Sequence, residues 1–281
     1  MKHMKERLLL SFRSLYKLLA RKINGAYVFA LMTKTENGLF AVDPEDYGVG
    51  RSLRMNGKYG ADEIERLKPF ITSDSKALIV GAHIGALAIP ISKLCKSVAA
   101  IEANPDTYEL LKKNIALNDI SNCNAVNIAA NNKKENIRFL MNRANSGGSK
   151  RVPINKKYMY YNDKPKEISV VGFDLDGYFE NDEFDVIVMD IEGSEYFALQ
   201  GMQRILSKAK LLAIEFLPHH LKNVSGVTVV QFLSLIEPHF CRLTIPTKNK
   251  TVGSKDFHVC LSEMYQHDQR DEAILFQKDV S

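Results

Sequence analysis

Acidic and imidazole side chains stand directly after apolar runs in this chain, where they could do chemistry. Asp190-Ile191-Glu192-Gly193-Ser194-Glu195 follows the run ending at Met189, and Glu215 lies at the end of Lys210–Phe216. Glu102 closes Ser97–Ile101, and Gly81-Ala82-His83-Ile84-Gly85 follows Lys76–Val80. Short apolar runs stopped by turn residues read as strands buried on both faces. In an open parallel sheet, ligands lie beyond the carboxyl ends of such strands. The groups expected to converge are therefore His83, Glu102, Asn127, Asp190, Glu192, Glu195, Glu215 and His219. Asp190, Glu192 and Glu215 are the candidate catalytic groups. A carboxylate there can accept a hydroxyl proton or bind an amino group. The same three carboxylates could hold a hard divalent cation through oxygen; this is the secondary reading, and no metal ligand is assigned. Glu192 and Glu195 also fit simple helix N-terminal positions. His83 also reads as a turn residue, and His219 and His220 as structural.

The glycine turn narrows the ligand. A dinucleotide fingerprint needs glycine at the first, third and sixth positions, so that a pyrophosphate can approach the backbone. Counted from Gly81, those later positions hold His83 and Ala86. Glycine at the first and fifth positions suits a phosphate-free nucleoside such as S-adenosylmethionine. The carboxylate of Glu102 can accept from both ribose hydroxyls. The candidate cofactor-binding residues are Gly81, Ala82, His83, Gly85, Glu102, Ala103 and Asn127.

Strands and helices must position these groups, and the chain supplies them in alternation. At 281 residues and 45% hydrophobic, it can bury one large α/β core. Residues 1–52 read as a basic amphipathic helix and loop, and 53–281 as the main domain, with 131–171 covering the site. In the lead segment Leu8, Phe12, Leu15, Leu19 and Ile23 form one stripe among basic residues. The stripe either packs on its own domain or a partner, or lies on an anionic membrane surface through residues 1–25. Leu39–Leu53 reads as loop, Gly60–Lys68 as helix, and Asn104-Pro105-Asp106 as a capped helix start. Asn124–Ala130 reads as a third strand. Lys156 to Tyr161, basic and tyrosine-rich, reads as a solvated hairpin or as a surface that stacks on rings. Arg242–Thr244, Phe257–Leu261 and Ala273–Phe276 are candidates for the last strands. The net charge of +5 is spread along the chain and does not call for a nucleic-acid partner. Four cysteines without paired spacing indicate reduced thiols and a cytoplasmic protein, peripheral on the inner face of a membrane if the lead helix binds lipid.

Three stretches together carry a resemblance. Gly81-Ala82-His83-Ile84-Gly85, Ile101-Glu102-Ala103-Asn104-Pro105 and Met189-Asp190-Ile191-Glu192-Gly193-Ser194-Glu195 resemble the FkbM family of S-adenosylmethionine-dependent methyltransferases. The resemblance spans about Leu53 to Phe216 and is most specific in the Asp-x-Glu-Gly-x-Glu run. It implies a Rossmann-like class I fold, α/β, with a mostly parallel seven-stranded sheet and helices on both faces. It also implies O-methylation of a sugar, a glycolipid or polysaccharide unit, or a related small metabolite. By position, Gly81, Ala82, His83 and Gly85 would form the donor turn and Glu102 the ribose contact. Asn127 would line the adenine pocket, and Asp190 and Glu192 would be the acidic turn. Ile79 and Met189 depart from the family, which usually has an acid and a lysine there. The rival readings are a silent S-adenosylmethionine-binding module and an NAD-dependent oxidoreductase.

Overall fold

Strands form where the apolar runs stand, and their register decides which chain ends meet. The computed structural model describes residues 15–278, with fourteen strands among them. In chain order they are β1 (Leu31–Thr35), β2 (Gly38–Val42), β3 (Lys76–Val80), β4 (Ser97–Ile101) and β5 (Cys123–Val126). Next come β6 (Ala129–Asn131), β7 (Glu135–Met141), β8 (Lys150–Arg151) and β9 (Lys166–Asp174). The last are β10 (Val186–Met189), β11 (Leu211–Phe216), β12 (Arg242–Ile245), β13 (Lys250–Gly253) and β14 (Asp271–Gln277).

Eight of these make the central sheet, in the order β13-β12-β14-β11-β10-β3-β4-β5. From β11 to β5 all neighbours are parallel, while β14 runs antiparallel to β11 and β12. Alternate residues of the central strands enter cores on opposite faces. Leu78, Val80, Ile187, Met189, Leu212 and Ile214 pack on one side. Ala77, Ile79, Val186, Val188 and Ala213 pack on the other, against Ala88, Ile91 and Leu111. This two-sided burial is why the runs are continuous rather than alternating.

Register then aligns the strand ends. Val80 pairs with both Ile101 and Met189, and Met189 pairs with Ile214. The next residue of each strand is therefore Gly81, Glu102, Asp190 or Glu215, and these four sit side by side along one edge.

Several expectations change. The central sheet has eight strands because β13 turns back on β12 at the edge. The stretch Asn124–Ala130 is divided: β5 ends at Val126, and β6 pairs instead with β9 in a second sheet, ordered β6-β9-β7-β8. Leu39–Leu53 is loop only over residues 43–48, since β2 runs to Val42. Glu36-Asn37 makes a tight turn between β1 and β2, and a helix spans Val49–Asn56. Phe257–Leu261 is helical, within Phe257–Gln266, where Phe257, Cys260, Leu261 and Met264 are buried at helical spacing. Pro90 lies in a helix of only five residues, Ala88–Ser92.

Residues 15–24 are helical. Ala20 is buried, but Leu15, Leu19 and Ile23 are exposed, so the described part of the stripe does not pack on its own domain. Leu8 and Phe12 lie outside the described residues. No described helix is long and apolar enough to cross a membrane. All four cysteines are free.

Candidate active site

Two bends in the backbone shape the site, one after β3 and one after β10. At the first, Gly81 has φ 91° and Gly85 φ 90°. A Cβ on Gly81 would overlap the carbonyl oxygen of Asp190, so only glycine lets the two strand ends lie this close. The Gly81 and Ala82 amides both donate to the carbonyl of Ile101, at 2.9 and 2.8 Å. His83 has φ 50°, a left-handed conformation that costs a non-glycine residue on the order of 1 kcal/mol. Its amide donates to Glu102 Oε2 at 2.8 Å, and the Asn104 amide donates to Oε1 at 2.8 Å. Glu102 thus clamps the turn to β4. Burial pushes its carboxyl up to about 7, against the lowering effect of these amides.

The second bend carries Glu192 at φ 56° and Gly193 at φ 100°. Left-handed non-glycine residues concentrate where a site over-determines the backbone. Glu195 is structural: its Oε1 accepts from the amides of Ile191 at 3.1 Å and Gly193 at 3.2 Å. Glu192 instead turns inward to a buried cation. The Lys150 ammonium, on β8, donates to Glu192 Oε2 at 2.8 Å and to His220 Nε2 at 3.2 Å. Its ammonium also lies 5.2 Å from the centre of the Tyr160 ring. Because His220 Nε2 accepts from Lys150, the proton of the neutral ring belongs on Nδ1. That atom is buried without a hydrogen-bond partner, 3.8 Å from Glu215 Oε2.

The titration directions follow from this crowding. Burial, then the charges of Asp190 and Glu192, hold the Glu215 proton on well above the carboxylate range. Asp190 faces the cavity and is accessible from it. The surrounding protein, followed by the charges of Glu192 and Glu195, still raises it well above its ordinary value. Burial and the Lys150 ammonium keep His220 neutral far below the usual histidine range. His83 is also lowered by burial, and its Nε2 lies 2.7 Å from Ser146 Oγ in the loop before β8.

One cavity of about 1480 Å³ joins the two bends. Gly81, Ala82, His83, Glu102, Ala103, Asp190, Glu192, Glu215 and His219 all line it. Asn127 and Glu195 do not. Asn127 points its amide group at the carbonyls of Glu102 and Ala103, at 2.8 and 3.3 Å, and so holds the β4 end from outside the cavity. Gly85 lies behind the turn, packed toward Leu111. The second sheet roofs the cavity through Ile137, Phe139 and Lys150. Tyr160 is buried beneath that roof and donates to the His219 carbonyl at 3.2 Å, so this piece is not a solvated hairpin.

Lys150 and the position of His220 escape a reading of the sequence. A lysine between Ser149 and Arg151 gives no sign of burial, and only the fold brings it to Glu192. Glu192, Glu215 and His220 present donor atoms within 4.8 Å of one another, a spacing a metal ion could use. The Lys150 ammonium already supplies positive charge to two of the three.

Residues 80–239 match the Methyltransferase FkbM domain. The chain belongs to the FkbM methyltransferase family. Its central sheet is accordingly the Rossmann-like methyltransferase sheet, with one further strand at the edge. Similar solved structures include an FkbM methyltransferase from Methylobacillus flagellatus KT, 18% identical, with 73% of this chain and 44% of that one covered and a TM-score of 0.43. This FkbM chain therefore spans less than half the length of that protein. Another is M. jannaschii TYW2 in complex with AdoMet, 14% identical, covering 89% and 87%, with a TM-score of 0.46. A third is an rRNA methylase from Streptococcus thermophilus, 11% identical, covering 77% and 94%, with a TM-score of 0.44. No curated protein matches the sequence.

Proposed function

We propose that this FkbM methyltransferase takes its methyl group from S-adenosylmethionine. The acceptor is a hydroxyl of a sugar, a glycolipid or polysaccharide unit, or a related small metabolite. The observation that carries this reading is the single cavity joining the Glu102-clamped turn to Asp190, Glu215, His220 and Lys150. A nucleoside fits the first part. Its walls are apolar at Ile101, Ile128 and Ala129, and the Glu102 carboxylate keeps lone pairs free for a ribose diol. Gly81, Ala82, His83 and Ala103 would hold the donor, with Gly85 shaping the turn. The third position of the turn carries the His83 side chain, which disfavours the pyrophosphate of NAD.

When bound, S-adenosylmethionine supplies an electrophilic methyl on a sulfonium and its sulfur leaves as a neutral thioether. The chain's own task is to align the acceptor and take its proton. As the new carbon–oxygen bond forms, the hydroxyl proton passes to Asp190 or Glu215. Whichever of the two is ionised can take this proton, and the neighbouring Lys150 ammonium lowers the proton affinity that burial raises. Lys150 keeps Glu192 paired and fixes the His220 ring so that Nδ1–H faces Glu215. The ammonium thereby favours the ionised state of the carboxylates around it. The roof, with Tyr158 and Lys157 at its rim, offers a ring face and a cation to a polyhydroxylated acceptor. The four free thiols suit the reducing cytoplasm.

Calorimetric titration with S-adenosylmethionine and with NAD tests the donor, and only the former should bind. Donor labelled in its methyl group, incubated with a host extract, should transfer label to a hydroxyl-bearing product. Asp190→Asn should lower turnover at least ~100-fold, the usual scale for a general base, while leaving the unfolding midpoint near that of the wild type. Full activity in that variant removes Asp190 from the mechanism. Donor binding without turnover on any hydroxyl acceptor would leave a silent binding module.

A further inference from the structure

We propose that the helix over residues 15–24, with the segment that leads to β1, forms a docking face for an anionic membrane surface. A helix advances 100° per residue, so Leu18, Leu15, Leu19 and Ile23 share one arc of roughly 140°. All four are exposed, Leu18 at 65% and Ile23 at 80%. Tyr27, Val28, Phe29 and Met32 continue the exposed apolar surface after the helix ends at Gly25. Exposed apolar side chains gathered in one short segment mark an interaction site.

One flank of the helix, next to Ile23, is anchored, so the face has a fixed direction. Tyr16 packs edge-on against Tyr47 with ring centres 5.2 Å apart, and Arg54 donates to its hydroxyl at 2.7 Å. Ala20 is buried on the same side. The apolar arc therefore lies beside this contact, with its four side chains open to solvent.

Charge selects the occupant. Lys17, Arg21, Lys22 and Lys34 lie between Leu15 and Lys34, and that stretch holds no acidic residue. The preceding sequence adds Lys2, Lys5, Arg7 and Arg13 against Glu6 alone. A second copy of the chain would bring the same positive charge to the interface and be repelled. An anionic bilayer supplies both an apolar layer and complementary headgroups. Basic side chains reach those headgroups while their stems stay in the apolar layer. Tyr27 and Phe29 are of the aromatic type that favours the lipid–water boundary.

Co-sedimentation of the full chain with vesicles tests the proposal. Vesicles of phosphatidylcholine and phosphatidylserine should bind the protein, and vesicles of phosphatidylcholine alone should bind it far less. Salt should weaken the binding. The variant Lys17→Gln/Arg21→Gln/Lys22→Gln should lose roughly a hundredfold in partitioning, from about 1 kcal/mol for each basic group near an anionic surface. Leu18→Asp/Ile23→Asp should abolish binding, with thermal unfolding unchanged because both positions are exposed. No binding to anionic vesicles, or equal binding to both kinds, overturns the proposal. A concentration-dependent dimer that the Leu18→Asp/Ile23→Asp variant abolishes would overturn it as well, and would name a second copy as occupant.

Discussion

Replacing Lys150 with methionine tests the arrangement of the buried charges most directly. Methionine keeps much of the apolar stem and removes the ammonium, whose side chain is only 5% exposed. Two contacts go with it, to Glu192 at 2.8 Å and to His220 Nε2 at 3.2 Å. Breaking a fully buried pair costs about 3–5 kcal/mol. Glu192 faces the cavity and keeps some solvation, with 19% of its side chain exposed. The expected loss is therefore smaller, about 1.5–3 kcal/mol at pH 8, the range for a hydrogen bond to a charged group. The loss should depend on pH, and the sign follows from proton binding. A carboxyl whose folded pKa exceeds its unfolded value holds extra protons in the native state, so its contribution favours folding at low pH. That contribution is lost as pH rises through the folded pKa. Asp190 and Glu215 already behave this way, with ordinary values of 3.8 and 4.5. Without the ammonium their folded values rise further and the window of loss extends upward. At pH 5 Asp190 and Glu215 are nearer full protonation with or without the ammonium, so the cost should be smaller than at pH 8. Urea unfolding at the two pH values measures the difference. Histidine NMR should show His220 taking up its proton at higher pH in the variant, since the ammonium is one cause of its depression. An equal stability loss at both pH values, with His220 titrating as before, would refute this account of the cluster.

Other tests reach the remaining parts of the site. Hydrogen bonds from a ribose diol favour the ionised form of Glu102, whose carboxyl stands at about 7 in the free protein. Donor binding should then release protons below about pH 7, and affinity should rise with pH and level off above it; calorimetry in buffers of differing ionisation heat reads this, and no proton release counts against the ribose contact. Glu102→Ala should weaken donor affinity by about 1.5–3 kcal/mol, as for a lost charge-assisted hydrogen bond, and unchanged affinity would count against the same contact. Gly81→Ala meets both a left-handed φ of 91° and the Asp190 carbonyl, so it should cost more than about 2 kcal/mol in urea unfolding. A variant as stable as the wild type would show that β3 and β10 do not approach this closely.

The central strands were legible because burial on both faces leaves an unbroken apolar run, as in Lys76–Val80 and Val186–Met189. Their polar stops, Gly81, Glu102 and Asp190, were legible for the same reason: each is the first residue past the buried run, while Glu215 interrupts the buried run of β11 one residue before its end. Elements held by other kinds of contact were harder to read. The helix at Phe257–Gln266 looked like a strand because a short apolar stretch suits both periods. Asn127 had the right residue type near the right strand end, yet β5 stops at Val126 and turns the side chain outward to two carbonyls.

Sequence by itself determined the family motifs, the parallel core and the row of groups along its edge, since these depend on local pattern and on residues close in the chain. Tertiary structure alone decided which groups face each other across the cavity. Lys150 lies 42 residues before Glu192 and 70 before His220, and nothing local records those separations. A buried ammonium is stable only where the fold brings carboxylate and imidazole to meet it, and that meeting is set by how the second sheet closes over the first.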